Sequence, residues 1–207
     1  MILTIDIETV PRPGIMDTWF PAYAHENKKI EEYDKQELLA GLYPEFGMIC
    51  CVAGITEYER DCSIGMVASN LNEEKLLLKS LSAEFESLGG AIQLQGHNIK
   101  GFDIPFLAKR YLAHRLPVPE CLQVAGKKPW EIHHIDTMEL AKFGGQNPSS
   151  LRALCLLLNI KDPKTEMTGI GVYDLFKSNN FEKIKEYCEG DVKATREVGA
   201  ILRGDSE

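Results

Sequence analysis

The stretch MILTIDIETV (residues 1–10) decides how the rest of the chain is read. Ile2 to Glu8 is apolar and β-branched, the composition of a buried strand. Two acids, Asp6 and Glu8, interrupt it. Strand side chains alternate, so both acids point to one side of a sheet. Carboxylates in a buried strand are costly unless a partner compensates them. Two oxygen donors on one face suit a hard divalent cation such as Mg²⁺ or Mn²⁺. A D-x-E pair at a strand end that simply reaches water is the plainer alternative.

Outward from this strand, Met48–Thr56 (MICCVAGIT) and Cys62–Ala68 (CSIGMVA) read as two further strands joined by a polar turn. The spacing predicts a helix over 72–88, with an Asn as its cap. A short strand over 91–95 and a helix from Asp103 to His114 follow, with Pro105 tolerated in the first helical turn. Residues 116–132 carry three prolines and read as a loop. HHIDTMELA (133–141) reads as a short strand entering a helix, and NPSSLRALCLLLN (147–159) as a Ser-capped helix with Leu151, Leu154, Cys155 and Leu158 on its apolar stripe. Residues 160–171 are polar and punctuated by Gly and Pro. The longest helix is expected from Asn180 onward. Three antiparallel strands followed by alternating strands and helices imply a mixed α/β sheet covered by helices. Residues 10–46, rich in proline and then in charge, read as an insertion containing one helix.

The totals fit one domain over residues 1–207: 207 residues, 44% of them hydrophobic. No run of 18 apolar residues marks a membrane span, and no basic-then-apolar leader precedes the strand. Six cysteines, without a C-x-x-C pair, read as small buried hydrophobes in a reducing, cytoplasmic setting. The net charge of −8 argues against coating nucleic acid by bulk electrostatics. Between His97 and Trp130, however, six Lys/Arg face two acids, so this segment is locally +4.

Two more stretches bring acids to the same predicted sheet. In GHNIKGFDIPFL (96–107), Asp103 lies at a strand-to-helix turn, where it would also favour the helix dipole. In EYCEGDVKATREV (186–198), Tyr187 and Asp191 are four apart and share a helix face. The three stretches together resemble the DEDD superfamily of 3′–5′ exonucleases, which have a ribonuclease H-like fold. DIETV matches the first motif, HNIKGFDIPFL the second and YCEGD the third. Tyr187, where a second branch has His, places the resemblance in the tyrosine branch. SLRALCLLLNIKDPK and IDTMEL resemble the exonuclease domains of family B DNA polymerases more than ribonuclease D. The resemblance covers the exonuclease part alone, as a stand-alone domain or one that joins a complex.

The resemblance implies a five-stranded mixed sheet, three strands antiparallel and two parallel, and two metal ions per site, Mg²⁺ or Mn²⁺. It implies that Asp6, Glu8 and Asp191 hold the ion that generates hydroxide. Asp6 would bridge to a second ion, which Asp103 holds directly or through water, and Tyr187 would orient the attacking water. It makes Asn98 and Phe102 candidates for contact with the 3′-terminal nucleotide, although Phe102 equally suits the core. Lys100, Lys109, Arg110, Lys127 and Lys128 are candidate phosphate contacts, with a plain solvated surface the first reading for the individual lysines, and Trp130 either stacks on a base or anchors its loop. Asp136 reads as a helix cap or supporting group, and His133 and His134 as non-ligands. The expected partner is nucleic acid with a free 3′ end, single-stranded DNA in the first place. RNA trimming and a catalytically silent binding domain are the rival readings; the intact acid set speaks against the latter.

Overall fold

A computed structural model describes residues 1–15, 17, 20, 23, 39–89, 92–161 and 169–205. The first strand, β1 (Ile2–Pro11), runs antiparallel to β2 (Gly47–Thr56), which pairs antiparallel with β3 (Ile64–Val67). On its other side β1 pairs parallel with β4 (Gln93–Gly96), and β4 pairs parallel with the two-residue β5 (Ile135–Asp136). The sheet order is β3-β2-β1-β4-β5, the mixed ribonuclease H-like arrangement expected from the sequence. β1 is therefore the central strand, and its D-x-E pair lies mid-sheet.

Six α-helices accompany the sheet among the described residues: α1 (Leu71–Ser87), α2 (Asp103–Ala113), α3 (Thr137–Leu140), α4 (Leu151–Leu158), α5 (Gly169–Lys177) and α6 (Phe181–Arg203). Asn70 caps α1, its side chain accepting from the backbone N–H groups of Asn72 and Glu73, and Ser150 caps α4. Short 3₁₀ turns at Glu120–Leu122 and Pro129–Glu131 break the expected 116–132 loop.

Two expectations need correction, and a third falls outside the described residues. β1 continues to Pro11, which pairs with Gly47, so the insertion spans 12–46 rather than 10–46. Its expected helix, in HENKKIEEYDKQELL, lies almost wholly outside the described residues. Residues 169–177 form α5, which the reading of 160–171 as punctuated polar chain missed. Gly169 and Gly171 are poor helix formers, but Val172 is buried and Tyr173, Leu175 and Phe176 pack on the core, so tertiary contact outweighs propensity.

The described part of the insertion has its own small aromatic cluster. Phe20 lies edge-on to Phe46 with ring centroids 5.2 Å apart, and Tyr23 lies 4.9 Å from the same ring. Ile15, Phe20 and Ala40 are buried there.

Beneath the insertion's return lies a buried ionic cluster that the sequence did not reveal. Glu74 of α1 and Arg110 of α2 are almost inaccessible. Arg110 donates through Nε and Nη2 to the two Glu74 oxygens, at 2.8 and 2.6 Å. His114 Nε2 lies 2.7 Å from Glu74 Oε2, and the Ile49 N–H donates to Oε1 at 2.8 Å. Arg110 Nη1 also donates to the Pro44 carbonyl. One carboxylate thus joins α1, α2 and β2, and its partner arginine reaches the insertion's exit. Arg110 is accordingly withdrawn from the candidate phosphate contacts.

Removing one partner of such a pair leaves the other charge buried. Glu74→Ala should cost about 3–5 kcal/mol of unfolding free energy in urea denaturation. A loss under about 1 kcal/mol, the scale of a surface pair, would contradict this role for Glu74.

Candidate active site

Leu3, Ile5 and Ile7 are buried on one side of β1, which leaves Thr4, Asp6 and Glu8 on the side facing α6. The register there is irregular. Glu8 pairs with Cys51 and Thr9 with Ile49, so Cys50 is an extra residue on β2. Its thiol donates to the Glu8 carbonyl at 3.4 Å. Bulges of this kind re-aim the side chains beside them.

The second element arrives because β4 is short. β4 pairs with β1 only over Ile2–Thr4, and beyond Gly96 the chain turns away. The Ile7 N–H is thereby left to another acceptor, and Asp103 Oδ1 takes it at 3.2 Å. Asp103, the first residue of α2, is buried and touches β1 between the two acids. The turn leading to it is held from β5. Asp136 accepts the Asn98 and Lys100 N–H groups, at 3.0 and 3.1 Å, while also capping α3. This is the cap-and-support role expected of it. Asn98 has a left-handed backbone, φ 66°, and its Oδ1 lies so close over Gly101 that a Cβ there would stand 2.5 Å away.

The third element is α6. Gln95 on β4 donates to Thr4 Oγ1 and to the Thr195 carbonyl, and the Arg203 guanidinium donates to Gln95 Oε1. A Cβ at Gly199 would lie 2.3 Å from Gln95, so glycine permits this close seating. α6 then presents Tyr187, Cys188 and Asp191, all buried, toward β1. The Tyr187 hydroxyl donates to Asp191, one turn away. Cys188 Sγ donates to the Asp6 carbonyl at 3.4 Å and to Asp6 Oδ2 at 3.5 Å.

The structure thus gathers Asp6, Glu8, Asp103, Tyr187 and Asp191 from one strand and two helices. Cys188 is the addition that sequence reading missed; its place inside the Y-x-x-x-D stretch was the available signal. Phe102 is half-buried against the core, its ring centroid 5.4 Å from that of Phe106. Lys100 and Lys109 pair with Glu139 and Glu45. Trp130 is 72% exposed with the Lys128 ammonium over its ring, so it does not anchor its loop in the core. His134 uses both ring nitrogens, Nδ1 accepting from Leu94 N–H and Nε2 donating to the Cys121 carbonyl, in keeping with a non-ligand.

Electrostatically the site is under stress. Burial, then the carboxylates of Glu8, Asp103 and Asp191, push the Asp6 carboxyl well above its usual range, and the hydrogen bond from the Cys188 thiol opposes them. Asp103 is pushed up to about 7, by burial above all and by Asp136. Burial and the neighbouring acids also raise the Tyr187 phenol, which stays protonated at neutral pH. A set of hard oxygen donors crowded against one another in this way fits divalent metal binding. The Asp6, Glu8 and Cys188 ligand atoms all lie within 4.8 Å of one another.

Acids from a central strand and two helices of a ribonuclease H-like fold gather beside β1, past the point where β4 leaves it. A family model described as a predicted 3′–5′ exonuclease related to the exonuclease domain of PolB matches residues 42–198. The chain belongs to that family. The match contains Asn98, Phe102, Asp103, Tyr187 and Asp191; Asp6 and Glu8 lie before it. No curated protein matches the chain.

The raised carboxyls give stability a pH dependence. Asp103 titrates near 3.8 when unfolded and near 7 when folded, so its contribution is present at low pH and is lost as pH rises through about 7. His134, whose pKa burial lowers, acts in the opposite direction on acidification. Comparison with Asp103→Asn separates them. In EDTA the variant should gain melting temperature relative to wild type as pH goes from about 5 to 8. A difference independent of pH would show that Asp103 is not the group responsible.

Proposed function

We propose that the protein is a metal-dependent 3′–5′ exonuclease, releasing nucleoside monophosphates from the 3′ ends of single-stranded DNA. The observation that carries this reading is the meeting of Asp6, Glu8, Asp103 and Asp191 around the middle of β1. Family membership supports the reaction class. Asp6, Glu8 and Asp191 would hold one Mg²⁺ or Mn²⁺ ion, and Asp6 with Asp103 a second. When bound, the ions supply neutralisation of the scissile phosphate and acidification of the attacking water.

The chain's own residues do the rest. The Tyr187 hydroxyl, protonated and fixed by Asp191, positions the water for in-line attack. Asn98, at the bend before α2, offers its amide to the terminal nucleotide, and the exposed part of Phe102 packs against it. Lys128 and Trp130, both on the surface, suit the strand further from the cut. All six cysteines are free thiols, which supports a reducing, cytoplasmic setting. No helix among the described residues is long and apolar enough to cross a membrane. We read 1–207 as one exonuclease unit with an insertion at 12–46.

The test is stepwise degradation of 5′-labelled single-stranded DNA and RNA with Mg²⁺, Mn²⁺ or EDTA. DNA should shorten from its 3′ end with either ion and stay intact with EDTA. Asp6→Ala and Asp191→Ala should fall to background. Tyr187→Phe should lose about 100-fold and remain measurable. If Asp6→Ala degrades DNA as wild type does, the reading is wrong; degradation of RNA alone would transfer it to exoribonuclease action.

A further inference from the structure

Five residues of α6 recur at every fourth position: Tyr187, Asp191, Thr195, Gly199 and Arg203. At that spacing they lie along one face of the helix. Tyr187 and Asp191 belong to the site. The other three meet a single side chain, the fully buried Gln95 of β4. Gln95 accepts from the Arg203 guanidinium and donates to the Thr195 carbonyl. The same amide nitrogen donates to Thr4 Oγ1 at 3.0 Å. Gln95 is therefore a crosspiece between α6 and β1, placed apart from the acids.

Its position along both elements has a consequence for the site. α6 runs opposite to β1: Cys188 reaches Asp6, while Thr195, further along, lies beside the crosspiece to Thr4. From Thr195 back to Asp191 is one turn, about 6 Å of helix. From Thr4 on to Asp6 is two strand residues, about 6.6 Å. The two steps are nearly equal, so a bridge that holds Thr195 beside Thr4 also brings Asp191 level with Asp6. Gly199 is the condition for it. A Cβ there would overlap the Gln95 amide, which is enclosed and could yield only by giving up Thr4.

We propose that Gln95 is a positioning residue for the metal-binding acids and that Gly199 is the opening through which it acts. Together they set the distance between Asp6 and Asp191, and with it the affinity for the ion these two share. The consequence for DNA cleavage rests on the exonuclease reading above; the consequence for metal binding is measured without DNA.

Mn²⁺ binding to the full chain, read from the electron paramagnetic resonance of the free ion, is the first test. Gln95→Met keeps the volume and removes the crosspiece's hydrogen bonds. It should bind Mn²⁺ about tenfold more weakly than wild type. Phe85→Leu, a change in the core at α1 rather than beside Gln95, should bind as wild type does. Urea denaturation puts both variants on one stability scale. Affinity unchanged in Gln95→Met, or lowered equally in Phe85→Leu, overturns the proposal.

Gly199→Ala is the second arm. Helix propensity alone makes this change stabilising. Overlap with Gln95 should instead weaken Mn²⁺ binding about tenfold. With the obstacle gone, the double variant Gln95→Ala/Gly199→Ala should bind no worse than Gln95→Ala. Losses that multiply in the double variant overturn the proposal. In DNA degradation, the Mg²⁺ concentration for half-maximal rate should rise about tenfold in Gln95→Met while KM for DNA stays as in wild type. Wild type that binds Mn²⁺ in a Gln95-dependent way but degrades nothing would refute the exonuclease reading and uphold the positioning role. An active wild type whose Mn²⁺ affinity ignores Gln95 would do the reverse.

Discussion

Repulsion among carboxylates is the constraint around which this structure is arranged. Asp6 feels Glu8, Asp103 and Asp191 together, in a place too buried for water to screen them fully. Left to themselves, such groups would separate or neutralise. They stay because each is attached to something fixed for other reasons. Asp6 and Glu8 sit on the central strand. Asp103 opens a helix whose far end is locked by the Arg110–Glu74 fork. Asp191 rides on α6, seated against β4 where Gly199 allows Gln95 to approach. The scaffold overdetermines the positions, and the site inherits the strain.

Two acids in the same molecule, the buried Glu74 and the half-buried Asp6, show how the surroundings of carboxylates differ. Glu74 receives a forked arginine, a histidine and a backbone N–H, so its charge is answered within the fold. Asp6 meets further acids and a thiol. The sign of the neighbours separates the two cases. Perturbation by like charges within a central strand is costly for stability, and such perturbation clusters at functional sites.

The same contrast explains what was legible in the sequence. The strands were readable because β-branched runs have a period that few other arrangements satisfy, and the three acid stretches because their spacing is compact. Arg110 was misread as a phosphate contact because its local segment is basic; its partner Glu74 lies 36 residues earlier on a different helix. α5 was missed because it begins with two glycines and is held by core contacts. The two-residue β5 carries little periodicity of its own, yet Asp136 at its end fixes the turn before Asp103. Cys188 was counted as a small hydrophobe. Its burial agrees with that reading, but the direction of its sulfur could not be read from composition. What the sequence hid are pairings between distant residues and the aim of single atoms.

The relation between the family match and the sheet follows from one rung of the β1–β2 ladder. The match begins at residue 42, but β1 lies between β2 and β4. Without residues 2–11, the matched region would have two strands with no partner between them and a site lacking Asp6 and Glu8. Pro11 pairs with Gly47, so the chain leaves the sheet and returns to it at the same point. An insertion closed across a single rung costs entropy only logarithmically in its length, and it can lengthen without moving either strand. Its return is tied to the Arg110 guanidinium through the Pro44 carbonyl, three residues before β2 begins. The chain between these strands therefore separates the D-x-E stretch from the matched region in sequence while leaving it at the centre of the sheet in space.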